Sequence, residues 1–206
     1  MHEPDITFDG EGVGRLLRQS LQQALRVGWL IVLLAGAGMV ATCRAESGAD
    51  ALEYRVKTAF VCKFAGYVEW PGQVFERPDS PIVIGVVASD AVVDELTRTA
   101  AGLSTDGRAL HVRRFRRGET VAGAHLVYIA RTEESVLAET IAALKGQPVL
   151  VVTESSRAIE AGSMVNFVVV DDKVRFDIAP QVADLSHLRI SARLLGVARI
   201  LIGKVS

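Results

Sequence analysis

Ile82-Val83-Ile84-Gly85-Val86-Val87-Ala88, set between Pro81 and Ser89-Asp90, decides the fold class. A short unbroken apolar run between turn residues reads as a strand buried on both faces, as in a parallel sheet covered by helices on each side. Asp90 is placed to cap a following helix through Val93, Leu96 and Ala100. The same alternation then recurs. Ala109 to Val112 and His125 to Ala130 read as further strands, Thr132 caps a helix through Val136, Ile141 and Leu144, and Pro148 to Val152 is a fourth strand. Such alternation predicts an α/β fold: one domain, a mostly parallel sheet flanked by helices.

Downstream the alternation breaks. Met164 to Val170 and Lys173 to Ile178 are joined only by Asp171-Asp172, too short a link for a crossover helix, so a C-terminal antiparallel β-hairpin is predicted. Arg175 and Asp177 alternate with Val174, Phe176 and Ile178, which predicts a solvated face at the sheet edge. Pro180 opens a short helix, and Ile190 to Ile202 reads as a last one with Leu194, Leu195, Ala198 and Leu201 facing the core. Upstream, Leu52, Val56, Ala59, Phe60, Lys63, Phe64 and Tyr67 recur at three- and four-residue steps, an amphipathic helix ended by Trp70-Pro71-Gly72.

Residues 1–45 read as a cleaved signal peptide. Arg15, Arg18 and Arg26 precede an uncharged apolar run, Val27 to Thr42, and Cys43-Arg44-Ala45 offers small residues for a cut after Ala45. An uncleaved anchor and lipidation of Cys43 are the alternatives. Residues 46–206 then form the folded domain, outside the cytoplasm. Of the 23 Lys and Arg and 24 Asp and Glu, four of each precede Glu46, so the net charge of −1 is unchanged and no nucleic-acid partner is indicated. Loss of Cys43 leaves Cys62 alone, so no internal disulfide can form. In its apolar helix Cys62 packs as a small hydrophobe, or else links chains or senses redox state.

Catalytic patterns are missing from the sequence: no G-x-S-x-G, no H-E-x-x-H and no phosphate loop. His111, His125 and His187 share no metal-ligand spacing, so no metal and no cofactor are expected. Ser89, Asp90, Thr153, Glu154 and Ser155 lie at the carboxyl ends of predicted parallel strands, where open α/β sheets bind ligands; helix capping is the other reading. Arg108, His111, Arg113, Arg114, Arg116 and Arg117 form a dense basic patch, either solvated or suited to an acidic partner surface.

In order, several segments resemble the YfiR family of small periplasmic regulators. They are Tyr54-Arg55-Val56-Lys57, Phe64-Ala65-Gly66-Tyr67-Val68-Glu69-Trp70-Pro71, Ile82-Val83-Ile84-Gly85-Val86 and Gly107 to Arg114. His125 to Ile129, Gly146 to Leu150, Gly162 to Phe167, Val174 to Ile178 and Leu188 to Leu195 continue the match. The resemblance implies a non-catalytic repressor that binds the periplasmic sensor domain of an inner-membrane diguanylate cyclase and so lowers cyclic di-GMP and biofilm formation. Some relatives carry cysteine pairs; here Ala124 and Asn166 occupy those regions, and Cys62 cannot replace a pair. Tyr67, Glu69 and Trp70 are the first candidates for the contact, since a Trp-Pro turn can present an amphipathic ring, with core packing as the other reading of Trp70. Arg113, Arg114 and Arg175 are second, and a homodimer is left open. A periplasmic small-ligand binding protein using Ser89, Asp90, Thr153 and Glu154 is the alternative function.

Overall fold

The computed structural model describes residues 48–116 and 118–203. The predicted signal peptide, Cys43 and Arg117 lie outside the described residues. Among those described, eight strands form one sheet. Ile82–Val87 (β2) pairs in parallel with Arg108–Arg114 (β4) on one side and Leu126–Ile129 (β5) on the other. Leu150–Thr153 (β6) and Val165–Val170 (β7) continue the parallel run. Ser104–Thr105 (β3) closes the far edge antiparallel to β4. The chain thus winds from β2 one way to β4, returns to β5 and proceeds the other way. That reversal places a topological switch point between the carboxyl ends of β2 and β5.

The fold class is α/β, as the sequence indicated, and the helices distribute as right-handed crossovers demand. Helix α1 (residues 48–64) and Asp90–Ala100 (α2) cover one face, packing Val61, Phe64, Val92 and Leu96 on Ile82, Ile84, Val86 and Leu126. Glu134–Leu144 (α3) and Ala158–Ala161 (α4) cover the other, with Leu137, Ile141 and Ala158 against Val127, Ile129 and Val151. From Ala51 onward the chain is one compact unit. Gly85 is required where it stands: a Cβ there would lie 2.8 Å from the Phe115 ring, which crosses the β2 backbone.

Lys173–Ile178 (β8) pairs antiparallel with β7 from Val165↔Ile178 to Val170↔Lys173, the predicted hairpin. Asp171 and Asp172 both take positive φ, 49° and 55°, as a two-residue type I′ turn demands and as aspartate tolerates. The hairpin is not fully at the edge, however. Ile200–Leu201 (β10) adds in parallel beside Asp177 and Ile178, leaving only the Lys173 end of β8 open.

Further expectations are corrected. The last helix is only Ala192–Leu195 (α6), with Leu201 half exposed in β10 instead of in the core. The open edge of β8 offers carbonyls that take Arg199 N–H and Ile202 N–H, and strand pairing there outweighs the helical spacing of the apolar residues. The first helix stops at residue 64; Val68–Glu69 (β1), before Trp70-Pro71, pairs with Arg189–Ile190 (β9), while Pro180–Leu185 (α5) packs beside β9. Ser89, not Asp90, is the N-cap residue of α2, and α3 starts after a 3-10 turn at Arg131–Glu133 with Glu133 as its N-cap. Finally, the apolar stripe of α1 is only partly buried. Phe64 is fully buried and Phe60 packs against the core, beside Lys57 and Val61, whereas Leu52 and Val56 of the same stripe face solvent at 61 % and 37 % exposure. Both sides of α1 carry apolar residues at helical spacing, so periodicity alone does not choose between them.

Candidate functional site

Lysine on the buried side of a helix needs a counter-charge, because an isolated ammonium in the interior costs far more than a fold can supply. Lys57 reaches from α1 across the carboxyl ends of β5 and β6, where its Nζ lies 2.5 Å from Glu154 Oε2. Both side chains are 1 % exposed. The other Glu154 oxygen accepts from the Tyr128 hydroxyl, and Lys57 also donates to Glu53 one helical turn earlier. Arg131, just past β5, closes the cluster with Nη2 3.1 Å from Glu53. Burial, and then the Glu154 charge, push the Tyr128 hydroxyl well above its ordinary pKa, so it stays a donor across the physiological range. The cluster fastens α1 over the strand ends.

The strand-end candidates of the sequence are therefore placed in different settings. Thr153 and Glu154 are buried, and Thr153 Oγ1 lies 2.8 Å from both Ser163 Oγ and Asn166 Oδ1. Ser89 and Asp90 are exposed at the start of α2, and Asp90 pairs with Arg114. Sequence reasoning passed over Lys57, Tyr128, Glu53 and Arg131. The available signal was Lys57 itself, four residues before Val61 and seven before Phe64, hence on the same side as both.

At the opposite, amino end of the strands stand Trp70 and His125. Trp70 Nε1 donates to the His125 carbonyl at 3.2 Å, and the ring is partly buried against the core. Tyr67 is partly buried beside it, and Glu69 is exposed, in register with Arg189. His125 Nδ1 accepts from Val83 N–H at 3.0 Å, which leaves the proton on Nε2, facing the Val74 carbonyl at 3.3 Å. Its ring stacks on Phe75, and the Arg108 guanidinium lies 3.7 Å from the centre of the Phe75 ring. Burial holds the His125 pKa below its ordinary value.

A histidine depressed on folding contributes stability that is complete above the unfolded-state pKa of about 6.5 and is lost as pH falls below it. Acidification from pH 7.5 to 5 is thus expected to lower the thermal midpoint, and less so in His125→Gln, which cannot gain the proton. Equal acid sensitivity of both proteins would show that His125 is not among the groups responsible.

The arginines do not form one patch. Successive β4 residues point to opposite faces of the sheet. Arg113 lies over Phe115, 4.4 Å from its ring centre, and reaches Glu119, while Arg114 turns to Asp90 at the start of α2. Arg175 is exposed on β8, and five strand spacings of about 4.8 Å separate it from β4, roughly 24 Å. Tyr67, Glu69 and Trp70 lie at and beside β1. Cys62 is buried, and burial pushes its thiol up to about 11, far from the thiolate that reacts. Among the described residues no group of three or more His, Cys, Asp or Glu could hold a metal ion, and no helix is long and apolar enough to cross a membrane.

Compared with known proteins, the chain matches the YfiR/HmsC-like family over residues 54–199, from inside α1 to the residue before β10. None of the curated proteins matches it. The chain belongs to the YfiR/HmsC-like family.

Proposed function

We propose that this member of the YfiR/HmsC-like family is a periplasmic regulator that represses an inner-membrane diguanylate cyclase by binding its periplasmic sensor domain, lowering cyclic di-GMP and biofilm formation. The observation that carries this reading is the family match across residues 54–199, which covers both faces of the sheet. The basic and apolar segment before Glu46 supports export to the compartment where such a sensor domain lies. The buried charges support a scaffold: Lys57, Glu154 and Tyr128 bond to one another and hold α1 on the sheet. Repression then requires only a surface that binds one state of the cyclase better than the other. Glu69, Arg113, Arg114 and Arg175, with the partly buried Tyr67 and Trp70, are proposed contacts at four separate places.

Deleting the gene is expected to raise cyclic di-GMP and surface attachment, and expressing the exported form to restore both. Unchanged cyclic di-GMP in the deletion strain, with tight binding of a small metabolite by the purified protein, would replace the repressor with a ligand-binding protein.

A further inference from the structure

The outward side of α1 is apolar where a surface helix is ordinarily polar. Leu52, Val56 and Phe60 follow one another at four-residue steps as a ridge, and Arg55, Ala59 and Lys63 form the neighbouring ridge. Between them runs an open groove lined by these six residues, shallowest in side-chain bulk at Ala59. Phe60 anchors the ridge by packing against Phe167 and Phe176 of the core, whereas Leu52 and Val56 stay exposed at 61 % and 37 %.

We propose that this groove is the seat of a partner helix, one whose apolar ridge packs over Ala59 and whose carboxylates meet Arg55 and Lys63. The inference rests on the repressor reading and names the contact on this chain. Two observations choose the occupant. Arg55 and Lys63 are eight residues apart, about 12 Å along the axis, so they bracket the groove with positive charge. Lys63 has no ion-pair partner among the described residues, and Arg55 approaches Glu95 only at 4.0 Å. A second copy of the chain packed antiparallel over Ala59 would set Arg55 against the other copy's Lys63, like charge on like. An acidic, amphipathic helix of the cyclase's sensor domain fits both the shape and the sign.

The test uses the purified mature protein and the purified periplasmic domain of the diguanylate cyclase whose output rises on deletion. Ala59→Glu fills the groove and neutralises its rim, yet Glu at 59 makes favourable four-residue pairs with Arg55 and Lys63, so the helix is preserved. We expect it to melt like the wild type and to bind at least tenfold more weakly. Lys63→Ala is expected to weaken binding less and to reduce its dependence on salt. Wild-type affinity in a folded Ala59→Glu protein would overturn the groove while leaving the repressor reading in place. Failure of the wild-type protein to bind the sensor domain would instead remove that reading and the inference with it. A wild-type dimer that Ala59→Glu splits into monomers would assign the groove to a second copy and overturn the proposal.

Discussion

Lys57→Met is expected to cost about 3–5 kcal/mol of folding stability, because it leaves the Glu154 carboxylate buried and without its counter-charge. Against a total of roughly 5–15 kcal/mol for a domain, that is enough to leave a marginal fold partly unfolded. The loss comes from the orphaned charge more than from the missing attraction. Adding Glu154→Gln, which removes that charge and keeps an acceptor for the Tyr128 hydroxyl, should therefore recover much of it. Urea unfolding of the wild type, the single variant and the double variant measures both effects. A single-variant cost below about 1 kcal/mol would mean that Glu154 is solvated in solution despite its burial.

Phe64→Ala is expected to cost a similar amount, about 3–5 kcal/mol, by opening a cavity at the centre of an aromatic cluster. Phe64 is fully buried, and its ring lies 5.7 Å from Phe167 and 5.1 Å from Phe176, with Phe60 at 6.1 Å. These rings tie α1 to the hairpin, so the loss should appear as a shift of the single unfolding transition. Leu52→Ala, on the solvent side of the same helix, should change stability by no more than about 0.5 kcal/mol. The pair of variants decides which side of α1 faces the sheet. A large effect at Leu52 and a small one at Phe64 would reverse the helix.

Much of the architecture was legible from local patterns. The run Ile82 to Ala88 is buried except for the half-buried Val83, as unbroken apolar strands between crossover helices should be. Asp171-Asp172 makes a two-residue turn because the link is too short for anything else and aspartate accepts positive φ. The last helix failed for a physical reason: Ile190 to Ile202 carries helical spacing, but an open edge at β8 made a strand better for its final residues. A local pattern cannot register an edge created by a strand elsewhere in the chain.

The candidate site was less legible. Thr153, Glu154, Ser89 and Asp90 follow strand ends, as their sequence positions implied, but which of them is buried depends on α1, far away in the sequence. Lys57 meets Glu154 across 97 positions. The arginines near residue 113 are adjacent in the chain and divided in space, since a strand sends neighbours to opposite faces.

The sequence by itself determined the alternation of buried strands and helices, the hairpin and the family, because each rests on short-range periodicity, turn chemistry or residue order. Only the tertiary structure decided which side of α1 lies on the sheet. Both sides of that helix carry apolar residues, Leu52 and Val56 on one and Val61 and Phe64 on the other, so spacing alone does not select the buried side. What separates them is Lys57, which is tolerable inside only where Glu154, Tyr128 and Glu53 converge on it, and that convergence exists only once the strands are assembled.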